Sequence, residues 1–314
     1  MSRITIFLPT YNRVKRLKKQ LEDIFASTIL DDTKLVVVND CSTDATLNFL
    51  ESLHANENLS IINHKRNLGY ANNLIYCLKA CQTEYMLWIT DDDDYIFENI
   101  KALEKLIANC SLDFVSPEFD DSMNSRKNHK NKFLSYRDIW DAARHAPGLL
   151  FKRSAFIKLE DSLLLALGRQ DYVAFFYPQI FLLFHAKAKG SRLLASDIVI
   201  GSKTKKALET NAIDSNGNHY LSFYNSVKLF HDFKNFYEEI YKETSSKEIL
   251  EVLDYFSMSL LSYIRRGIRS DFKELERDLM IGVAANITSF SALRHIPKIM
   301  VKLSMRAIKK LFNI

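Results

Sequence analysis

Short apolar segments alternate with amphipathic segments along the first part of the chain, and this alternation constrains the fold more than any other feature. Apolar runs of strand length occur at 4–8, 35–38, 59–62, 85–89 and 113–115. Segments with apolar residues at helical spacing lie between them, at 13–25, 44–53, 70–81 and 96–108. Repeats of strand, helix and strand favour right-handed crossovers and a mostly parallel sheet. The sequence therefore predicts an α/β protein with helices flanking the sheet.

The pattern changes near residue 200. A polar stretch at 203–217 is followed by long helical patterns at 220–241, 247–266, 271–285 and 297–312. We therefore predict an α/β domain over residues 1–200 and a helical region over 201–314.

The net charge of +5 is concentrated at the C-terminus. Residues 294–314 hold six cations and no carboxylate, which leaves a net charge of −1 on the rest of the chain. A nucleic-acid-binding domain would carry a basic face on the fold itself, so we expect no nucleic-acid partner.

The N-terminal apolar run is too short for a signal peptide, and no apolar window reaches 18 residues, so we expect a cytoplasmic protein.

The last predicted helix is both basic and amphipathic. Its apolar residues fall on one face and its cations surround the other, a pattern typical of helices that lie on an anionic membrane surface. The alternative is a helix that packs on the protein or forms an oligomer contact. We therefore expect a peripheral contact with the inner face of the membrane, and a homo-oligomer stays open.

Four consecutive carboxylates, Asp91, Asp92, Asp93 and Asp94, directly follow a predicted strand. They repel one another and so cost stability unless a cation neutralises them. Mg²⁺ or Mn²⁺ is a hard cation that binds one or two carboxylates and bridges them to a diphosphate. The alternative is a solvated acidic turn at the start of the next helix.

Three more polar motifs end predicted strands: PTYNR at 9–13, NDCSTD at 39–44 and NLGYANN at 67–73. Tyr11 could stack on a base and Arg13 could hold a phosphate, or the motif could be a simple turn. Asp40 lies at a strand end, where it could accept a hydrogen bond from a ligand. Gly69 at a helix start would allow a ligand to approach closely.

In this order and strand context, FLPTYNR, VVVNDCSTD, NLGYANN and WITDDDDY resemble the family 2 glycosyltransferases of the GT-A fold. The resemblance covers about residues 3–200 and includes the acidic signature in its D-x-D-D form. The later segment APGLLFKRSAF resembles the one before the acceptor site in bacterial polysaccharide and O-antigen enzymes. The resemblance implies a Rossmann-like GT-A sheet and an inverting, metal-dependent transferase with Mn²⁺ or Mg²⁺.

The resemblance also implies roles for single residues. Tyr11 would pack on the nucleotide base, and Asp40 would accept a hydrogen bond from it. Asp94 would be the main metal ligand, Asp93 would hold the ribose or assist the metal, and Asp91 would support both. Because the acidic signature could also start at Asp92, its register is ambiguous. The nucleotide-binding candidates are Pro9, Thr10, Tyr11, Arg13, Asp40, Asn67, Asp92 and Asp93, and the metal candidates are Asp91, Asp93 and Asp94.

The catalytic base is the weakest part of the resemblance. Relatives carry a Glu-Asp pair before a helix, whereas this chain reads GRQDYVAFF, with Gln170 in place of the glutamate. Asp171 is the candidate base, and its alternative role is an N-cap for the helix that follows.

The expected function is the transfer of a sugar from a nucleotide-sugar donor, commonly UDP-linked, to a saccharide or a polyprenyl-diphosphate-linked acceptor in bacterial surface polysaccharide biosynthesis. A nucleotidyltransferase is one alternative, but those enzymes carry a glycine-rich loop near the N-terminus and this chain has no glycine before Gly69. A non-catalytic nucleotide-binding scaffold is the other alternative.

Overall fold

The computed structural model describes residues 2–53, 56–120, 130–203 and 223–253 of the 314-residue chain, except for the side chains of residue 203 and residues 223–227. The basic amphipathic helix predicted near the C-terminus, most of the polar loop at 120–131, and the helical pattern at 271–285 lie outside the described residues. The chain divides into two compact units, Met1–Thr210 and Asn211–Ile314.

Strands and helices alternate through the first unit much as the sequence predicts. The strands in the described part are β1 Ile4–Thr10, β2 Lys34–Asn39, β3 Leu59–Asn63, β4 Tyr85–Trp88, β5 Asp93–Tyr95, β6 Phe114–Asp120, β7 Lys132–Phe133, β8 Leu149–Lys152 and β9 Leu193–Lys203. The helices of the same unit are α1 Val14–Ala26, α2 Thr46–Glu51, α3 Gly69–Ala80, α4 Ile100–Asn109, α5 Tyr136–Ala143, α6 Arg153–Phe156, α7 Glu160–Gly168, α8 Tyr172–Phe176 and α9 Pro178–Ala188.

The strands form one sheet in the order β3-β2-β1-β4-β8-β6-β9-β5, with β7 paired to β9. The first four strands are parallel to one another, β8 is antiparallel to both neighbours, and β6 and β9 are again parallel. The expected α/β class with a mostly parallel sheet flanked by helices is confirmed. The sheet continues to Lys203, three residues past the domain limit predicted from the sequence.

Alternating residues of each strand face opposite sides of the sheet. On one side, Ile4, Ile6 and Leu8 of β1 belong to a buried core that includes Leu17 of α1 and Leu103 of α4. On the other side, the ring of Tyr70 in α3 contacts that of Trp88 at the end of β4, with centroids 5.8 Å apart. The sheet is therefore covered on both faces, which suits strands that are apolar throughout.

A proline divides the segment that the sequence pattern presents as one helix over 174–189. Tyr177 has φ −133° and ψ 53°, and Pro178 occupies the first turn of α9. The proline ring excludes helical geometry at the residue before it, and proline has no N–H to donate, so α8 ends and α9 begins there. The hydrophobic pattern is continuous across this break because both helices are buried.

The second unit is described only in part. Helix α10 spans Phe223–Thr244, and residues 247–253 form another helical segment. Phe230, Phe233, Tyr237 and Ile240 recur at helical spacing along α10 and are buried. Among the described residues, no helix has the length and apolar character needed to cross a membrane.

Candidate active site

The carboxyl ends of β1 and β2 are joined by direct hydrogen bonds. The backbone N–H of Asp40 donates to the carbonyl of Thr10 at 2.9 Å, and the side chain of Asn39 donates to Asn63 at the end of β3 at 3.1 Å. The polar ends of β1, β2 and β3 therefore lie together at one edge of the sheet.

Asn12 fixes the loop after β1 in an unusual conformation. Its φ of 54° lies in the left-handed region, which asparagine tolerates better than most residues. Its side-chain oxygen accepts from the backbone N–H groups of Thr43 and Asp44 at 2.6 and 3.3 Å, and its own N–H donates to Ser42. These bonds hold the loops after β1 and β2 together. The neighbouring side chain of Tyr11 is 42% exposed, so its ring is accessible to a planar ligand.

Asp40 is buried and holds the start of α3. Its two carboxylate oxygens accept from the backbone N–H groups of Leu68 and Gly69 at 2.8 and 3.0 Å. Gly69 has φ +75°, which requires a residue without a Cβ penalty, and Asn67 also accepts from its N–H. Asp40 therefore has a structural role that the sequence reading did not include, and each of its oxygens keeps a second lone pair for a ligand.

The acidic run does not form a simple turn. Asp93 starts β5, which pairs antiparallel with β9 so that Asp94 lies opposite Ser202. The side chains alternate in exposure: 3% for Asp91, 23% for Asp92, 2% for Asp93 and 47% for Asp94. The four carboxylates therefore divide into a buried pair and a more accessible pair.

Asp91 is neutralised from β1 and from the residue that precedes α1. Thr10 Oγ1 donates to Asp91 Oδ2 at 2.7 Å, and Arg13 Nη1 donates to Asp91 Oδ1 at 3.0 Å. Burial raises the pKa of Asp91, although Arg13 and Thr10 act in the opposite direction. Burial alone would lower the pKa of Arg13, but Asp91 and Asp92 outweigh it and raise that pKa. In the structure, Arg13 therefore pairs with two carboxylates of the acidic run, and its expected contact with a phosphate stays a prediction.

The two more accessible carboxylates also face Arg13 and two cations on α1. Asp92 Oδ2 lies 3.0 Å from Arg13 Nη1 and 3.5 Å from Arg16 Nη1. Asp94 Oδ1 accepts from Lys19 Nζ at 3.0 Å, and this contact contributes most to raising the pKa of Lys19. Helix α1 thus supplies positive charge along the acidic run.

His145 is a candidate site residue that the sequence reading missed. Its Nε2 lies 3.9 Å from Asp93 Oδ2, which also accepts from Thr90 Oγ1 at 2.8 Å, and its ring packs on Phe119. His145 directly precedes the segment APGLLFKRSAF. A lone histidine carries no recognisable spacing, so only its position next to that segment could have drawn attention to it.

A buried amide holds the loop that carries His145. Gln179 on α9 donates to the carbonyls of Ala143 and Arg144 at 3.2 and 3.3 Å. Its oxygen accepts from Tyr70 on α3 at 3.2 Å. One side chain therefore links α3, α9 and the end of α5 immediately before His145.

Asp171 occupies the N-cap position of α8. Its Oδ1 accepts from the backbone N–H of Ala174 at 2.9 Å, and the preceding Gln170 has φ 57°. Of the two roles left open by the sequence, the cap is therefore present. The cap accounts for one oxygen of a carboxylate that has two, so it does not by itself exclude the role of base.

Across the described ranges, no group of three or more His, Cys, Asp or Glu side chains is placed to hold a metal ion. Asp91 uses both oxygens for Thr10 and Arg13, whereas Asp94 is nearly half exposed. This donor set fits a hard divalent cation held by one or two carboxylates and completed by a diphosphate and water. It does not fit a cation that the protein holds alone.

Gly201 on β9 limits how β5 can lie. A Cβ at this position would come within 2.4 Å of the backbone oxygen of Asp94. We expect Gly201→Ala to shift β5 and to lower the free energy of unfolding by about 1–3 kcal/mol, the usual cost of overpacking. Denaturant unfolding of the variant measures this loss.

Gly168→Ala is the matched control for Gly201→Ala, because a Cβ on Gly168 at the end of α7 meets no atom within 4 Å. Its stability should equal that of the wild type or exceed it slightly. Equal stability of the two alanine variants would contradict a tight contact between Gly201 and Asp94.

Two solved structures share the fold. The Staphylococcus aureus protein TarS, residues 1–349 in complex with UDP-GlcNAc, has a TM-score of 0.64 at 19% identity over 90% of this chain and 82% of that one. The mannosyltransferase PcManGT from Pyrobaculum calidifontis, in complex with GDP-Man and Mn²⁺, has a TM-score of 0.54 at 18% identity over 99% and 88%. The fold is that of the GT-A glycosyltransferases. Residues 5–158, just under half of the chain, match the model of Glycosyl transferase family 2, and this part of the chain belongs to that family.

Curated relatives match a shorter part of the chain. The poly(ribitol-phosphate) beta-N-acetylglucosaminyltransferase TarS of Staphylococcus aureus is 33% identical over 101 residues, which are 31% of this chain and 17% of the relative. An uncharacterized glycosyltransferase of Haemophilus influenzae is 29% identical over 107 residues, 32% of this chain and 33% of the relative. The matched segments therefore cover a third or less of these relatives.

Proposed function

We propose that the protein transfers a sugar from a nucleotide-sugar donor, UDP-linked, to a saccharide or lipid-linked saccharide acceptor. One observation carries the proposal. The acidic run follows β4 at the edge of the sheet where Thr10 and Arg13 bind Asp91 and where Asp40 adjoins Thr10. Ligands of open α/β sheets bind at the carboxyl ends of the strands, and four family motifs meet at this edge.

In this proposal, the base of the nucleotide stacks on the exposed ring of Tyr11 and hydrogen-bonds to Asp40, between Pro9-Thr10 and Asn67. Asp92 and Asp93 contact the ribose or the diphosphate. The UDP and UDP-GlcNAc complexes of TarS support a uridine nucleotide, whereas the GDP-Man complex of PcManGT makes guanosine the competitor to test.

Asp94 is proposed to be the main ligand of Mn²⁺ or Mg²⁺. Asp93 is proposed to assist it, and Asp91 to support both. When bound, the cation stabilises negative charge on the departing diphosphate. The transfer is proposed to be inverting: Asp171 takes the proton of the acceptor hydroxyl, the acceptor oxygen bonds to the anomeric carbon, and the bond from that carbon to the diphosphate breaks.

The cellular setting is proposed from the sequence and from the relative. TarS is named for a reaction on poly(ribitol phosphate), which supports a surface polymer or saccharide as the acceptor class. We propose residues 1–200 as the catalytic domain and 201–314 as a helical region that contacts the inner face of the membrane through its basic end or forms a homo-oligomer.

A thermal-shift screen with UDP, GDP, CDP and dTDP sugars, each with Mn²⁺ or with EDTA, tests the proposal. A ligand at 100 times its dissociation constant stabilises the folded state by about 2.7 kcal/mol, which gives a shift of several degrees. We expect the largest shift with a UDP-sugar and Mn²⁺, and we expect release of UDP on incubation. Binding without any release would favour a scaffold, and no shift with any of the four would contradict the proposal.

A further inference from the structure

Three cations at the start of α1 and just before it form a line that faces the acidic run. Arg16 and Lys19 are neighbours on the surface of α1, and Arg13 immediately precedes the helix. Arg13 pairs with Asp91 and Asp92, Arg16 with Asp92, and Lys19 with Asp94. The protein therefore neutralises much of its acidic run with its own side chains, and a divalent cation has to compete with them.

The two ends of this line differ in how firmly they are held. Asp91 is 3% exposed, and Thr10 and Arg13 satisfy both of its oxygens, so separating Arg13 from it would leave a buried charge unpaired. Lys19 and Asp94 are 63% and 47% exposed, and exposed pairs of this kind are weak. Only the Lys19 end of the line can exchange at little cost.

Lys19 also contacts a second carboxylate, on its own helix. Its Nζ lies 3.2 Å from Asp23 Oδ2 one turn further along α1, compared with 3.0 Å from Asp94 Oδ1. An ammonium group that leaves Asp94 therefore keeps an ion pair at Asp23. A divalent cation on Asp94 would repel the ammonium over this short distance, so Asp94 cannot favour both partners at once.

We propose that Lys19 is a positioning residue that bridges Asp94 and Asp23 in the ligand-free protein and keeps only Asp23 when a divalent cation binds to Asp94. Lys19 thereby weakens metal binding in the absence of donor, so that the cation enters together with a diphosphate. The inference rests on the proposed metal role of Asp94 and adds a competitor that sets the affinity of that site.

The test is Mn²⁺ binding to the full-length protein without nucleotide, measured by the electron paramagnetic resonance signal of free Mn²⁺. Because Lys19 competes for Asp94, Lys19→Gln should bind Mn²⁺ about 2–5 times more tightly than the wild type, which corresponds to about 0.4–1 kcal/mol and lies within the range for an exposed ion pair. Lys19→Arg keeps the charge and should bind Mn²⁺ as the wild type does.

Lys15→Gln is the matched control. Lys15 is exposed one turn before Lys19 on α1 and makes no ion pair with any residue that the structure describes, so its replacement removes the same charge without removing a contact to Asp94. We expect its Mn²⁺ affinity to change by less than about 1.5-fold, because exposed charges without direct contact are screened. Equal tightening in Lys15→Gln and Lys19→Gln would overturn the proposal.

Two further outcomes separate this inference from the proposed function. Unchanged Mn²⁺ affinity in Lys19→Gln, with nucleotide-sugar binding retained, overturns the role of Lys19 and leaves the transferase proposal standing. Failure of the wild type and all variants to bind Mn²⁺, with or without UDP, overturns both the role of Lys19 and the metal role of Asp94.

Discussion

Replacement of Asp94 by asparagine should reduce the rate of donor turnover on the order of 100-fold or more, because the variant loses the accessible carboxylate of the acidic run. Asp94 is half-exposed and its present partner Lys19 is exposed too, so the substitution should leave the free energy of unfolding nearly unchanged. Release of nucleoside diphosphate from the nucleotide sugar that gives the largest thermal shift measures the loss.

Glu98→Gln is the control for Asp94→Asn, because Glu98 is an exposed carboxylate four residues further along the chain. Its turnover should match that of the wild type. Wild-type turnover in Asp94→Asn would remove Asp94 from the metal site. A loss of turnover accompanied by a large fall in stability would instead assign Asp94 a structural role through its pairing in β5.

The second large effect is expected at Asp171. Because asparagine caps helices as well as aspartate does, Asp171→Asn should preserve the bond to the N–H of Ala174 and with it the start of α8. If Asp171 accepts the proton of the acceptor hydroxyl, the same variant should lose about 10²–10⁴-fold in transfer. Thermal shift with the nucleotide sugar should be unchanged, so that binding and transfer separate.

Asp161→Asn, an exposed carboxylate on the neighbouring helix α7, is the control and should leave transfer unaffected. Full transfer activity in Asp171→Asn would exclude Asp171 as the base. Asp171→Ala, which removes both the cap and the carboxylate, should also lose about 1 kcal/mol of stability, and this difference from asparagine measures the cap alone.

The sequence predicts the sheet well because the spacing of apolar residues in each strand and helix is a local, periodic pattern. Strand-length apolar runs and helical spacing locate β1 to β4 and the helices between them to within a few residues. The convergence of Thr10, Asp40 and Asn63 also follows from parallel strand direction, which places their ends on one edge. These features depend on pattern, and the pattern is continuous in the first 115 residues.

Other features depend on long-range contacts that no local pattern encodes. The pairing of Asp93–Tyr95 with β9 joins segments about 110 residues apart, and within β5 Asp93 is buried while Asp94 is accessible. The ion pairs of Arg13 with Asp91 and Asp92 likewise join residues nearly 80 positions apart. Four consecutive aspartates in a sequence do not show which of their side chains are buried, so the structure is needed to distinguish the buried pair from the accessible pair.

The buried amide of Gln179 restricts how the region around His145 can be remodelled. Its hydrogen bonds fix the carbonyls of Ala143 and Arg144, so the backbone leading into the loop has little freedom to move. A library that randomises residues 145–147 would therefore sample new side-chain shapes on a nearly constant scaffold. Randomising Gln179 as well would remove the hydrogen bonds that hold the backbone before His145. In most members of that library, His145 would then lose its position relative to Asp93.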